Sequence, residues 1–211
     1  MIKEKNIDTQ EALLNIYDDK KTLNNCTIEI TNTCVFKCPH CYMPNSPKKF
    51  MSMKEYEQIL SQLSNLGCMW ILLTGGETLM HPKFKEMYLL AKNMGFFVSI
   101  NTNGYLINDE LIELFKIYKP YVIEISLYGY EKNTYYDFTK IKDSYERVNN
   151  NIDKLIKNNI NLSLKSILTK KTANYIFKLK EYAKEKNIPF RYDYIVFPRL
   201  KQNILKENSE R

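Results

Sequence analysis

From residue 26 to residue 198 this 211-residue chain alternates six short strand-like runs with stretches of helical spacing. The runs fall at residues 26–31, 70–74, 97–101, 121–127, 162–168 and 190–197. Strands that alternate with helices pair in parallel, with the helices packed outside the sheet. Crossovers of one hand then curl it. Two α/β folds fit: a flat doubly wound sheet, or an open partial (β/α)6 barrel that is two strands short of the closed eight-stranded form.

The parity within the strands separates these two. A parallel sheet covered on both faces reads as unbroken apolar runs. Here Thr27, Glu29 and Thr31 share one face of the first strand, and Ser99, Asn101 and Asn103 share one face of the third and its exit. Glu124 and Ser126 do so on the fourth, Ser163 and Lys165 on the fifth, Arg191 and Asp193 on the sixth. The other parity carries Ile28, Ile30, Val98, Ile100, Ile123, Ile125, Leu162 and Leu164. Helices must cover that apolar side, so the polar side faces inward. Unpaired charges in a dry core cost several kcal/mol each. The inward face therefore lines a wet cavity, or it closes over internal pairs such as Glu124 with Lys165 or Arg191. The cavity predicts an open barrel with its site at the C-terminal ends of the strands.

Caps and breakers mark the connecting helices. Ser52-Met53-Lys54-Glu55 is a capping box, followed by the stripe Met53, Tyr56, Ile59, Leu60, Leu63 and Leu66 and stopped by Gly67. Pro82 is placed to begin a helix that ends at Gly95, and Asn108 caps the next, which Pro120 follows. Residues 128–142 read as a loop, and Asp143-Ser144-Tyr145-Glu146 as a second capping box. A last helix is expected around 173–186. The domain reading is a polar arm over 1–25, a core over 26–198 and a polar tail over 199–211. Within the arm, Asp8-Thr9-Gln10-Glu11 has the form of a capping box for one short helix.

Composition excludes several function classes. The charge is +7, from 31 Lys+Arg against 24 Asp+Glu, yet no arginine block is interleaved with aromatics, so nucleic acid is not an expected partner. No apolar run approaches the roughly 20 residues of a membrane span. The N-terminus is polar rather than a signal sequence, and a cytoplasmic setting with reduced thiols is expected. The odd number of cysteines, five, argues against a disulfide framework. Cys26 and Cys68 sit in apolar patterns and read as buried small hydrophobes.

The other three, Cys34, Cys38 and Cys41, lie on the loop after the first strand at spacing C-x3-C-x2-C. A closed structural zinc site usually has four ligands, so three leave one position to fill. Three thiolates can hold three irons of a cubic iron–sulfur cluster and leave the fourth iron to a non-protein ligand. The alternative is a zinc site that borrows His40, His81 or Cys68.

C-x3-C-x2-C with a flat ring, His40, before the last cysteine resembles the signature of the radical S-adenosylmethionine (radical SAM) superfamily. Three further strand ends carry the resemblance. Thr74-Gly75-Gly76-Glu77-Thr78 is similar to the family's GGE-P motif, with Thr78 where proline is usual. Thr102-Asn103-Gly104 matches its T-N-G, and Ser126-Leu127-Tyr128-Gly129 its S-L-x-G. The resemblance spans roughly residues 26–198. It implies one [4Fe-4S] cluster on the three cysteines and S-adenosylmethionine on the open iron. It implies cleavage of that cofactor to methionine and a 5′-deoxyadenosyl radical, which abstracts hydrogen from a substrate. In that frame His40 faces adenine and the Gly75–Gly76 edge and Glu77 meet the amino group. Ser126 and Asn103 meet the ribose side, and Lys165 a carboxylate. Glu124, Arg191 and Asp193 are candidate substrate contacts.

Ser126 to Glu131, the helix around Tyr145 to Val148, and Tyr192 to Arg199 resemble the peptide- and protein-modifying branch, whose members usually carry a C-terminal SPASM or twitch extension with extra clusters. No cysteine follows Pro198 here, and the arm is short for a leader-peptide recognition domain. A minimal core, a truncated product and one half of a two-protein system all fit. The leading expectation is an enzyme acting on a peptide or protein residue, with flavodoxin or ferredoxin as electron donor. A glycyl-radical activating enzyme is the second, and a non-catalytic cluster- or zinc-binding remnant the third.

Overall fold

A computed structural model describes residues 23–43 and 48–196. The expected tail, nearly all of the arm and the box at Asp8 lie outside them. Six strands form one sheet: β1 (Asn25–Thr31), β2 (Trp70–Gly75), β3 (Phe97–Thr102), β4 (Val122–Ser126), β5 (Leu162–Ile167) and β6 (Phe190–Asp193). Each pairs in parallel with the next, in the order β1-β2-β3-β4-β5-β6. A doubly wound sheet reverses its strand order at a switch point. This order never reverses, so crossovers of one hand keep all helices on one face, and the open partial barrel is the fold.

The helices are α1 (Met53–Asn65), α2 (Phe84–Asn93), α3 (Asp109–Ile117), α4 (Lys132–Thr139), α5 (Ser144–Lys157) and α6 (Ile176–Glu185). Between the sheet and these helices lies one core. Ile28, Ile30, Ile71, Leu73, Val98, Ile100, Ile123, Ile125 and Leu164 of the strands pack there with Tyr56, Leu60, Met87, Phe115, Val148, Ile152 and Leu179 of the helices. Each such side chain contributes about 1.5–3 kcal/mol by leaving water. That gain fixes the apolar parity toward the helices and turns the polar parity inward.

Local signals held where the cap controls the end. Ser52 Oγ accepts from Glu55 N at 3.2 Å and Glu55 Oε2 accepts from Ser52 N at 2.8 Å. Asn108 Oδ1 accepts from Leu111 N at 2.9 Å. Three expectations are corrected. The loop at 128–142 contains α4, whose Asn, Thr, Tyr and Asp are poor helix formers. Burial of Tyr135, Phe138 and Thr139 holds it instead, and Lys140, in the left-handed region at φ 64°, ends it. Asp143 does not cap α5. It accepts from Tyr105 Oη at 3.0 Å, while Ser144 Oγ is buried against Thr139 Oγ1 at 2.8 Å. Pro82 does not open α2, which starts at Phe84 after one 3-10 turn at Thr78–Met80. β6 also ends four residues earlier than the pattern predicts, where its pairing with β5 stops.

Candidate functional site

The cysteine loop leaves β1 at Thr31 and is held from three sides. Gly76 N donates to Thr31 O at 2.8 Å and Glu77 N to Thr33 O at 2.7 Å, tying it to the end of β2. Lys37 N donates to Thr139 O at 3.0 Å, tying it to the end of α4. Phe36 is buried and packs on Tyr105 and Tyr128 at ring distances of 5.6 and 6.2 Å. The glycine pair makes the first of these ties possible. A Cβ on Gly75 would sit 2.1 Å from Thr31 O, and one on Gly76 2.6 Å from Thr33 O. Their close approach is therefore to the cysteine loop's own backbone, as well as to the cavity they border.

That cavity, about 680 Å³, opens at the C-terminal ends of the strands. Cys34, Cys38 and Cys41 all border it, as do His40, Gly75, Gly76, Asn103, Ser126, Lys165 and Asp193. The sheet thus brings together ten of the thirteen residues singled out in the sequence.

The other three stand elsewhere. Glu77 is fully buried and spans two strand ends. Its Oε1 accepts from Thr102 Oγ1 at 2.6 Å and from Leu79 N at 3.0 Å, and its Oε2 accepts from Asn103 N at 2.7 Å. Burial pushes its carboxyl up from the usual range against those three donors. It braces β2 against β3, and direct contact with a ligand in the cavity gives way to that role. Glu124 and Arg191 form an ion network beside the cavity. Glu124 Oε2 meets Lys165 Nζ at 2.8 Å, and the Arg191 guanidinium grips both Glu124 oxygens at 2.7 and 2.8 Å. Arg191 also binds Asp193 at 2.7 Å. Burial pushes the Glu124 carboxyl up, but the Arg191 hydrogen bonds and the Lys165 charge outweigh it and hold it below its usual range. Both sequence readings of the inner face are therefore realised: a cavity toward the strand ends, and internal pairing below it.

Burial, with Glu77 next, pushes the Cys34 thiol up to about 12. Burial and then the charges of the other two cysteines push Cys38 higher still. Thiolates desolvated in this way need positive charge brought to them, which a bound metal centre supplies. Neither distant zinc candidate is placed to help. His81 Nε2 hydrogen-bonds Met51 O at 2.9 Å and its Nδ1 accepts from Lys83 N at 3.0 Å, so both ring nitrogens are engaged. Cys68 is buried against Asn24 O and Trp70 O, at the strand starts, across the sheet from the cysteine loop. Among the described residues, no three His, Cys, Asp or Glu side chains gather as they would around one ion. A cubic cluster spreads its ligands over separate irons and accepts a wider spacing.

Three cavity features were not singled out in the sequence. Asn101 borders the cavity, and its buried Oδ1 has no hydrogen-bond partner. Tyr128 stacks on Phe138 at 5.0 Å and 12°, and His40 lies 5.1 Å from Phe138 and 5.5 Å from Tyr128. Ile195 and Val196 extend the wall beyond β6. Asn101 was legible as the inward partner of Asn103. Tyr128 was not, because its position is the variable one in its motif and α4, which supplies Phe138, was read as loop.

Comparison with known proteins bears on this site. The radical SAM superfamily pattern matches residues 28–175. The antilisterial bacteriocin subtilosin biosynthesis protein AlbA of Bacillus subtilis (strain 168) is 32% identical over 124 residues, 57% of this chain and 28% of AlbA. The sporulation killing factor maturation protein SkfB of the same organism is 28% identical over 160 residues, 74% of this chain and 38% of SkfB. The crystal structure of Streptococcus suis SuiB bound to precursor peptide SuiA superposes with a TM-score of 0.72 at 18% identity, over 90% of this chain and 46% of that one. The last likeness speaks for the fold alone. This chain spans less than half the length of each of the three.

Proposed function

The chain belongs to the radical SAM superfamily, and from that premise we propose that it holds one [4Fe-4S] cluster on Cys34, Cys38 and Cys41, binds S-adenosylmethionine beside it and abstracts hydrogen from a peptide or protein residue. One observation carries the reading: all three cysteines border a single cavity whose wall includes a buried acceptor, Asn101 Oδ1, with no protein partner. The residues fit the cofactors in kind. When bound, cluster and cofactor supply one-electron reductive chemistry that ends in hydrogen abstraction from the substrate.

The chain's own side chains bind and orient. The Gly75–Gly76 backbone edge and Asn101 Oδ1, which border the cavity, offer acceptors to an ammonium group. The Ser126 hydroxyl serves the ribose, and the His40 ring, backed by Tyr128 and Phe138, offers a flat wall to a base. Lys165 Nζ is 2.8 Å from Glu124, which positions it while leaving donors free for a carboxylate. Asp193, at the mouth, is the substrate contact the geometry favours, with Arg191 and Glu124 fixing its direction. Tyr128, Ile167, Ile195 and Val196 keep water away from the reacting atoms.

The peptide part of the reading is supported by what the relatives are named for: bacteriocin biosynthesis and killing-factor maturation. The test is anaerobic reconstitution with iron and sulfide. Dithionite and S-adenosylmethionine are then added, and 5′-deoxyadenosine and the mass of a candidate precursor peptide are measured. Cleavage with a mass loss on the peptide is expected. A chain that takes up no iron–sulfur chromophore and cleaves nothing overturns the proposal, and a radical delivered to a glycyl-radical enzyme instead replaces its substrate. The net charge of +7 suits an acidic flavodoxin or ferredoxin as electron donor. Reduction by flavodoxin should slow as salt rises, and a salt-independent rate removes the electrostatic part.

A further inference from the structure

The three cysteine sulfurs have unequal surroundings. Cys34 Sγ lies 3.4 Å from Phe36 N and 3.8 Å from Asn103 Nδ2, both donors. Cys38 and Tyr128 border the same cavity. Cys41 Sγ faces Met43 O at 3.9 Å, an acceptor that gives nothing to a thiolate. The side-chain donor is held rigidly. Asn103 Oδ1 accepts from Tyr105 N at 2.9 Å, which turns its amide nitrogen toward Cys34, and its backbone N donates to Glu77 Oε2 at 2.7 Å.

A donor aimed at a cluster-ligating sulfur stabilises the extra negative charge of the reduced state, because its dipole is in place before the electron arrives. We propose that Asn103 is a positioning residue that sets the reduction potential of the cluster, through its hydrogen bond to Cys34. The proposal rests on the cluster reading above.

The experiment is a spectroscopically monitored redox titration of the reconstituted protein without S-adenosylmethionine. Asn103→Ala removes the donor. The reduced fraction at a fixed potential should fall about tenfold, which is about 59 mV for one electron. Tyr145→Phe removes a hydroxyl that serves Tyr130 O and should leave the potential in place. A second measurement needs no variant: the reduced wild-type protein in deuterium oxide should show exchangeable deuterons strongly coupled to the cluster by pulsed double-resonance spectroscopy. A wild-type cluster that lacks those couplings, or an Asn103→Ala cluster with the wild-type potential, overturns this proposal alone. A wild-type chain that takes up no cluster overturns it together with the proposed function.

Discussion

Gly75→Ala tests the tie between the cysteine loop and the sheet. Gly75 has φ +145°, a conformation that side-chain-bearing residues rarely adopt, and occupying it costs about 1–3 kcal/mol. The added Cβ would lie 2.1 Å from Thr31 O, where ordinary contact begins at 3.4 Å, so the ends of β1 and β2 must move apart by more than an ångström. That breaks the 2.8 Å bond from Gly76 N to Thr31 O and strands two buried backbone groups, for about 1–3 kcal/mol more. The sum is about 2–6 kcal/mol, a large part of the 5–15 kcal/mol typical of a whole domain. Gly95→Ala is the control. Its φ is +90° with nothing within 4 Å of the added Cβ, so it should cost only the left-handed strain, about 1–2 kcal/mol. Urea unfolding of both variants under reductant, followed by circular dichroism, gives the two losses. Gly75→Ala should lose about 2 kcal/mol more and take up less iron per chain. Equal losses would show that the two strand ends are not in the contact described, and the argument about the glycine pair would fail.

Glu77→Gln replaces an acceptor oxygen with a donor amide at a site where Thr102, Asn103 and Leu79 all donate, and should cost about 1–3 kcal/mol in the same assay. An unchanged urea midpoint would refute the brace. Glu124 has a folded-state carboxyl held below its unfolded value, so its stabilisation is complete above the unfolded pKa and is lost as pH falls through the folded one. As pH falls below the usual carboxylate range the wild type should lose more stability than Glu124→Gln, and parallel pH profiles for the two would show that the Arg191–Lys165 network contributes nothing. Ser52→Ala removes the cap of α1 and should cost about 1 kcal/mol without changing iron uptake. A loss of bound iron in that variant would contradict the separation of α1 from the site.

The sequence by itself determined whatever depends on residues near one another in the chain. Strand parity separated Ile28, Ile30, Val98 and Ile100 from Thr27, Glu29, Ser99 and Asn101, and so foretold both the helix-covered core and the inward polar face. Ser52 and Asn108 marked their helix starts, because a cap closes on its own next turn. The cysteine spacing and the strand-end motifs pointed to one candidate site, since a parallel sheet delivers every strand's exit to one rim. What only the tertiary structure decided were the partners across the sheet. Glu77 looked like a ligand contact because its neighbours Thr102 and Asn103 are 25 and 26 residues away, and only pairing of β2 with β3 spends its oxygens on them. Asp143 likewise turned from a helix cap into the acceptor of Tyr105, 38 residues distant. α4 has almost no propensity of its own, and it exists because Tyr135 and Phe138 find a core to enter. Through it Tyr128 gains a place beside Phe36 and His40 of the cysteine loop. Short-range hydrogen bonds and periodicity are written in the order of residues, whereas competition among distant donors and acceptors is settled only when the chain has closed around them.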